Sequence, residues 1–222
     1  MRRSSWIIGL IVVFVLLLLH YSFGAEWEDP PRGQPTQIRS QVNYDTKLSD
    51  PFFETEEWTT GEWDHKKVDG RKVDIPQKCP PGKEKLACSK ITARCFSSFD
   101  IFGLSAQHQL FICRAKLLDT GRIEILIDES KLAQIELSYQ YLLVEVKNGV
   151  FWSQYWRDSD QPRAGLTWTT KKQELTLDKR VYRKGDVIKG RIVFECMQKY
   201  TRRGFTSTRI IKVNGVFRTV LE

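Results

Sequence analysis

Residues 138–157 read SYQYLLVEVKNGVFWSQYWR, and this stretch decides the fold class. Tyr, Leu and Val crowd its first half, aromatic residues its second, and Asn148-Gly149 separates the two. An Asn-Gly pair accepts the positive φ that a tight hairpin turn imposes, so Ser138–Lys147 and Val150–Arg157 read as two antiparallel strands. Outward toward the N-terminus, Ile123, Ile125 and Ile127 alternate with Glu124 and Asp128. That period of two marks a strand with one buried face. His108–Leu118 precedes it across Asp119-Thr120-Gly121 and completes a second hairpin. Toward the C-terminus, Leu166–Thr170 and Glu174–Leu177 read as short strands and Val187–Met197 as a longer one. Arg209–Val213 is expected to pair with Val216–Leu221 across Asn214-Gly215. None of these segments carries a helical period; Ser130–Ile135 has room for one helical turn.

Seven to nine short strands, with turns about every ten residues, predict an all-β domain over residues 89–222. The expected architecture is an antiparallel β-sandwich, immunoglobulin-like or similar. Tyr182–Phe194 follows the pattern Y-x-x-G-D-x-I-x-G-x-I-x-F. It resembles hairpins that recur in immunoglobulin-like, macroglobulin-like and arrestin-like sandwiches, and the resemblance implies a sandwich of that general kind.

The chain opens differently. Arg2 and Arg3 precede Trp6–Leu19, WIIGLIVVFVLLLL, and acids follow at Glu26, Glu28 and Asp29. A run this apolar needs a membrane, either as an anchor over residues 6–23 or as a signal peptide cut before Ala25. Residues 1–25 are therefore read as a signal peptide or signal-anchor helix. Trp6, Tyr21 and Trp27 would mark the two interfaces of an anchor. Both readings keep the arginines cytoplasmic and place the C-terminal body outside the cytoplasm. The protein is then single-pass with a cytoplasmic N-terminus, or secreted or periplasmic after cleavage. Residues 26–88 read as an extended, partly docked linker. Pro30, Pro31 and Pro35 stiffen its start, while Phe52, Phe53, Trp58 and Trp63 are too many large rings for a bare tether. That second part is expected to lie on the body or form an edge hairpin turning at Asp69-Gly70.

Charge divides along the same line. Residues 26–76 carry a net charge of −5 and residues 77–222 a net of +11. A basic body suits an anionic surface, such as phospholipid headgroups or a polyanionic glycan, and export argues against nucleic acid. Lys199, Arg202, Arg203 and Arg209 form the densest basic surface, for which a solvated face is the simplest reading.

Catalytic signatures are missing from the sequence. It contains no G-x-S-x-G, H-E-x-x-H, P-loop or Rossmann fingerprint, and His65 and His108 are the only histidines after the apolar segment. No catalytic residue, metal-ligand set or cofactor is expected. Glycoside cleavage needs only two spaced carboxylates, which composition does not exclude. The five cysteines fit neither a redox pair nor a zinc set, and an exported chain uses cysteines as disulfides. Cys79 and Cys88 are expected to pair locally in a turn-rich loop. Strand parity turns Cys113 and Cys196 inward, which makes them a candidate bridge across the core and leaves Cys95 over. Trp152, Trp156 and Trp168 are candidate binding residues, since rings exposed beside polar groups suit a sugar or a protein partner. The sequence thus reads as a membrane-anchored or secreted extracytoplasmic β-sandwich module of non-enzymatic type, acting by protein or envelope-surface binding. The alternative is a carbohydrate-binding or carbohydrate-cleaving module built on those tryptophans.

Overall fold

The computed structural model describes residues 38–68, 71–83, 88–101, 104–118, 120–129, 140–157, 166–202 and 205–222. The chain divides after Gln34, and all the described residues belong to the unit Pro35–Glu222. Residues 1–25, with the apolar run at 6–23, lie outside the described residues, as do Asp69-Gly70 and Ser130–Ile135. Among the described residues no helix is long and apolar enough to cross a membrane.

The chain first lays down β1 (Ser40–Gln41), β2 (Asn43–Tyr44), a short helix α1 (Pro51–Glu54), β3 (Trp58–Val68), β4 (Arg71–Lys78) and β5 (Ser89–Lys90). It continues through β6 (Ala93–Ile101), β7 (Leu104–Leu110), β8 (Ile112–Leu117), β9 (Ile123–Asp128), β10 (Gln140–Lys147) and β11 (Val150–Arg157). It closes with β12 (Leu166–Leu177), β13 (Val187–Arg202) and β14 (Phe205–Val220). Among the described residues, five strands form one sheet in the order β1-β11-β10-β9-β8, and nine form the other in the order β2-β12-β13-β14-β6-β7-β4-β3-β5. Most neighbours are antiparallel; β2–β12 and β4–β7 are parallel. The fold is all-β.

The two sheets face one another across a shared core. Ile123, Ile125, Ile127, Leu142, Val144, Val146 and Phe151 come from the smaller sheet, and Cys95, Leu175, Ile188, Ile192, Phe194, Ile211 and Phe217 from the larger. Alternation along each strand puts these residues on one face. The β10–β11 hairpin is as its sequence predicts: Asn148 and Gly149 take φ of 53° and 74° and set Lys147 opposite Val150. Turn chemistry also accounts for the Tyr182–Phe194 pattern. The buried Tyr182 hydroxyl donates to Asp178 Oδ1 at 2.6 Å, and that oxygen accepts the Lys189 N–H at 2.9 Å. Asp186 Oδ2 accepts the Arg183 N–H at 2.9 Å and Lys179 Nζ at 3.0 Å, while Gly185 takes φ of +90°. Gly190 leaves room for a ring: a Cβ there would lie 2.1 Å from Phe217 Cζ.

Three expectations are corrected. His108–Leu118 is not one strand. The chain leaves the nine-stranded sheet after Leu110 and enters the five-stranded one at Ile112, because Phe111 receives bonds from Thr92 and Ala93 and donates its own N–H to Asp128. Asn214-Gly215 is not a turn. β14 runs straight through it, and Gly215 is needed for close approach to β6, since a Cβ there would lie 2.1 Å from Arg94 O. Leu166–Leu177 is one strand with an irregularity between Thr170 and Lys172 rather than two.

The cysteines divide as well. Cys79 and Cys88 form a disulfide, whereas Cys95, Cys113 and Cys196 are separate buried thiols. The expected Cys113–Cys196 bridge is therefore replaced by two inward-facing thiols in the common core. Parity fixed their face, but strand order sets their distance. Cys113 lies on β8, the far edge of the small sheet, whose Ala115 bridges to Leu221 just past β14; Cys196 lies on β13, one strand further across. Burial pushes the Cys113 thiol well up, so it behaves as a small apolar side chain.

Two expectations follow. Gly215→Ala should destabilise by about 1–3 kcal/mol or more through a backbone clash, and Tyr182→Phe by about 1.5–3 kcal/mol through loss of a bond to a carboxylate; thermal melts of each variant against the unaltered protein check both. The Asp186 carboxyl is held below its ordinary value, first by the Arg183 N–H and then by Lys179. Its contribution is therefore present above the unfolded value of about 3.9 and lost as pH falls through the lower folded value. Asp186→Asn should flatten the acid limb of the stability curve.

Candidate functional site

One end of the two-sheet body gathers most of the sequence-predicted residues. The registers Ile101↔Leu104, Gln140↔Arg157, Leu166↔Tyr200 and Arg202↔Phe205 all fall at that end, opposite Asn148-Gly149. Here the interior becomes polar. Ser97 of β6 lies 3.0 Å from the Tyr155 hydroxyl and donates to Gln140 Oε1 at 3.3 Å, and the Tyr155 hydroxyl also donates to Gln140 Oε1. All three are buried and join the two sheets through side-chain bonds. Gln140 Nε2 and Gln198 Nε2 are buried with no hydrogen-bond partner among the described residues.

Trp168, Gln198 and Arg209 share a row across β12, β13 and β14 just beyond that cluster. The Trp156 and Trp168 rings, from different sheets, lie 6.3 Å apart and close the side of the body. Trp156 is only 4% exposed and packs with Leu126, Tyr141 and Leu143, with Trp152 half-buried at the margin. The three tryptophans therefore differ in exposure: Trp156 is buried, and Trp152 and Trp168 are half-buried. Lys199 is exposed and Arg209 half-buried on the last hairpin. Arg203 and the Arg202 side chain lie outside the described residues. Phe205, at the start of β14, is 61% exposed.

A second cluster lies on β3, β4 and β7. His65 Nδ1 sits 2.6 Å from Asp74 Oδ1, and His108 Nδ1 lies 3.4 Å from Asp74 Oδ2. Both rings thus turn the same nitrogen toward one carboxylate. Trp63 meets His108 edge-on at 6.4 Å and Phe111 at 5.4 Å. Among the described residues no group of three His, Cys, Asp or Glu side chains is placed to hold a metal ion, and the hydrogen bonds of His65 bring no hydroxyl or thiol to its ring. The sequence held a usable signal for this site. Asp69-Gly70 reads in the sequence as a two-residue turn, the register sets Val68 opposite Arg71, and counting back along it puts His65 opposite Asp74.

The acidic, aromatic stretch before β3 is docked rather than loose. Asp50 caps α1 by accepting the Phe52 N–H at 3.0 Å, and Phe52 and Phe53 are buried with Ile91, Phe111 and Val216. Cations surround them: Arg94 lies 5.2 Å from the Phe52 ring centroid, Lys189 5.5 Å from that of Phe53, and Arg218 donates to Phe53 O. Glu57 pairs with Arg94 at 2.5 Å, and Glu56 pairs with Lys90, whose hydrogen bond holds the Glu56 carboxyl below its ordinary value.

Comparison with known proteins gives no match: no family model matches the chain, nor does a curated protein or a solved structure.

The docking of α1 should rest on packing. Truncating a fully buried Phe costs about 3–5 kcal/mol, whereas exposed ion pairs contribute ~0–1 kcal/mol. Phe52→Ala and Phe53→Ala should lower the melting temperature sharply, while Glu56→Gln and added salt should change it little. Equal effects from both kinds of change would show charge to be the main support.

Proposed function

We propose that the chain is an extracytoplasmic binding module of non-enzymatic type, held at a membrane by residues 6–23 or released by cleavage after export. In this reading the facing sheets make an immunoglobulin-like or similar antiparallel β-sandwich, and the polar end of the body is its contact surface. The observation that carries the proposal is the β13–β14 hairpin. Among the described residues its last register pairs, Thr201↔Thr206 and Arg202↔Phe205, extend past the final pairs of its flanking strands, Leu166↔Tyr200 and Ile210↔Asp100. The projecting part offers the exposed Phe205 ring; Arg209 shares its strand face, and the exposed Lys199 lies on the opposite face of the same hairpin. An exposed apolar ring on a hairpin that carries Lys199 and Arg209 suits an acidic protein surface or an anionic envelope surface. The body's net charge of +11 over residues 77–222 supports the same kind of partner.

Photo-crosslinking in cells that export the full chain tests this reading. A crosslinker at Phe205 should give a protein or lipid adduct that rising salt weakens, and one at Lys184, at the opposite end, should not. Adducts at Lys184 with none at Phe205 would reverse the assignment. A reporter joined after Glu222 should be active only outside the cytoplasm; cytoplasmic activity would overturn the export scheme, whatever the crosslinks show.

A further inference from the structure

One edge of the nine-stranded sheet has a charge pattern that matches itself, and we propose that β3 pairs antiparallel with β3 of a second copy of this chain, about a two-fold axis at His65. β3 runs for 11 residues between β4 and β5. β4 accompanies it as far as Val68, whereas β5 pairs only with Trp58 and Thr59. Among the described residues no strand lies beside Trp63–Val68 on the β5 side. Such a stretch presents backbone N–H and C=O groups ready to pair with another strand. It begins at a bulge between Thr59 and Trp63, where Gly61 takes φ of 87° and donates its N–H to Thr59 Oγ1 at 3.0 Å. The far edge of the small sheet is closed by contrast: Leu221 bridges to Ala115, and Leu117 N–H bonds to Glu222 O at 2.8 Å. β12 also runs past its edge neighbour β2, but Leu166–Lys172 holds lysines and no acid, so nothing in it recognises its own copy.

Pro76 shows which residues of β3 turn outward. A proline has no N–H to give to a ladder, and Pro76 stands opposite Trp63. Trp63 therefore holds a non-hydrogen-bonded position toward β4 and turns its N–H and C=O to the open side, as His65 and Lys67 do by alternation. Antiparallel pairing joins outward-turned residues to outward-turned residues, so the two-fold axis must pass through a residue rather than between two. An axis at Asp64 would oppose two carboxylates, and one at Lys66 two ammonium groups, both destabilising. An axis at His65 avoids both. It sets Asp64 opposite the partner's Lys66, twice by symmetry, with Glu62 diagonal to the same lysine. Trp63 then stands opposite the partner's Lys67, an ammonium beside an indole ring. These groups are available for the contact. Glu62, His65, Lys66 and Lys67 are exposed and Asp64 is half-buried, and among the described residues no ion pair engages Asp64, Lys66 or Lys67. His65 Nδ1 stays 2.6 Å from Asp74 of its own chain, which holds the ring toward β4.

Sedimentation of the full chain in detergent micelles tests the pairing, and charge changes on β3 separate it from association through residues 6–23. The unaltered chain should sediment as a dimer. Asp64→Lys opposes two lysines at both ends of the contact, Lys66→Asp opposes two carboxylates, and each should raise the dimer dissociation constant about tenfold or more. The double variant again sets one acid opposite one lysine, in exchanged positions, and should return the constant to within about twofold of the original. Cysteine substitution reads the register. His65→Cys puts its thiol at the axis, where opposed Cα atoms are ~5.5 Å apart and within disulfide range. Mild oxidation of that folded variant should give a covalent dimer. Lys67→Cys, exposed on the same face, is displaced from its own copy by ~13 Å along the strand and should not. If a charge-reversed variant does not fold, the two cysteine variants carry the test. A monomer, a dimer that the charge reversals leave unchanged, a double variant no tighter than the single ones, or equal bridging by both cysteines would overturn the proposal.

Discussion

Burial of the Phe111 ring against Phe52, Phe53, Ile91 and Val216 fixes the point where one run of chain leaves the large sheet for the small one. A ring of that size needs apolar cover on all sides, and the cover comes from α1 on one side and from β14 on the other. Its backbone is equally committed, because Phe111 O receives the N–H groups of Thr92 and Ala93 and its own N–H reaches Asp128 O. Upstream of this residue Leu110 faces the common core, and downstream Cys113 and Ala115 do so from the opposite sheet. The pairing of the two sheets, the docking of α1 and the seat of Trp63 all depend on that one side chain.

Local chemistry was legible wherever the determinant was local. Asn148-Gly149 specifies a turn because nothing else competes for its backbone. Asn214-Gly215 has the same dipeptide and no turn, because β6 approaches so closely that only glycine fits and β13 and β6 supply ladder partners on both sides. Sequence gives the residue's freedom, and the neighbouring strand decides its use. The all-β class, the inward faces of Cys113 and Cys196 and the local Cys79–Cys88 bridge follow from spacing and parity. Which inward residues oppose one another does not, because strand order across two sheets is a long-range property.

The candidate sites divide in the same way. Trp156 and Trp168 meet, but as a seam between sheets rather than as an open strip, since period-two alternation cannot tell a solvent face from one covered by other parts of the chain. The His65–Asp74 pair was within reach of a register argument from Asp69-Gly70. His108 was not, because β4 and β7 are parallel neighbours separated by two further strands in the chain. Charge asymmetry had a more direct reading: the acidic, aromatic residues 50–57 lie on Lys90, Arg94, Lys189 and Arg218.

The entry of the chain into the body has a mechanical consequence. Ser40–Gln41 belongs to the small sheet, Asn43–Tyr44 to the large one, and the buried Val42 is all that separates them. Gln173 grips the same stretch, donating to Ile38 O at 2.6 Å and Ser40 Oγ at 3.1 Å. Tension arriving from the N-terminal side therefore meets the Gln173 amide and β1 first, and β2 lies directly behind them. Extension requires the chain to shear from β11 and then from β12. The joint would behave as a clamp, keeping the core out of the load path until both short strands have yielded.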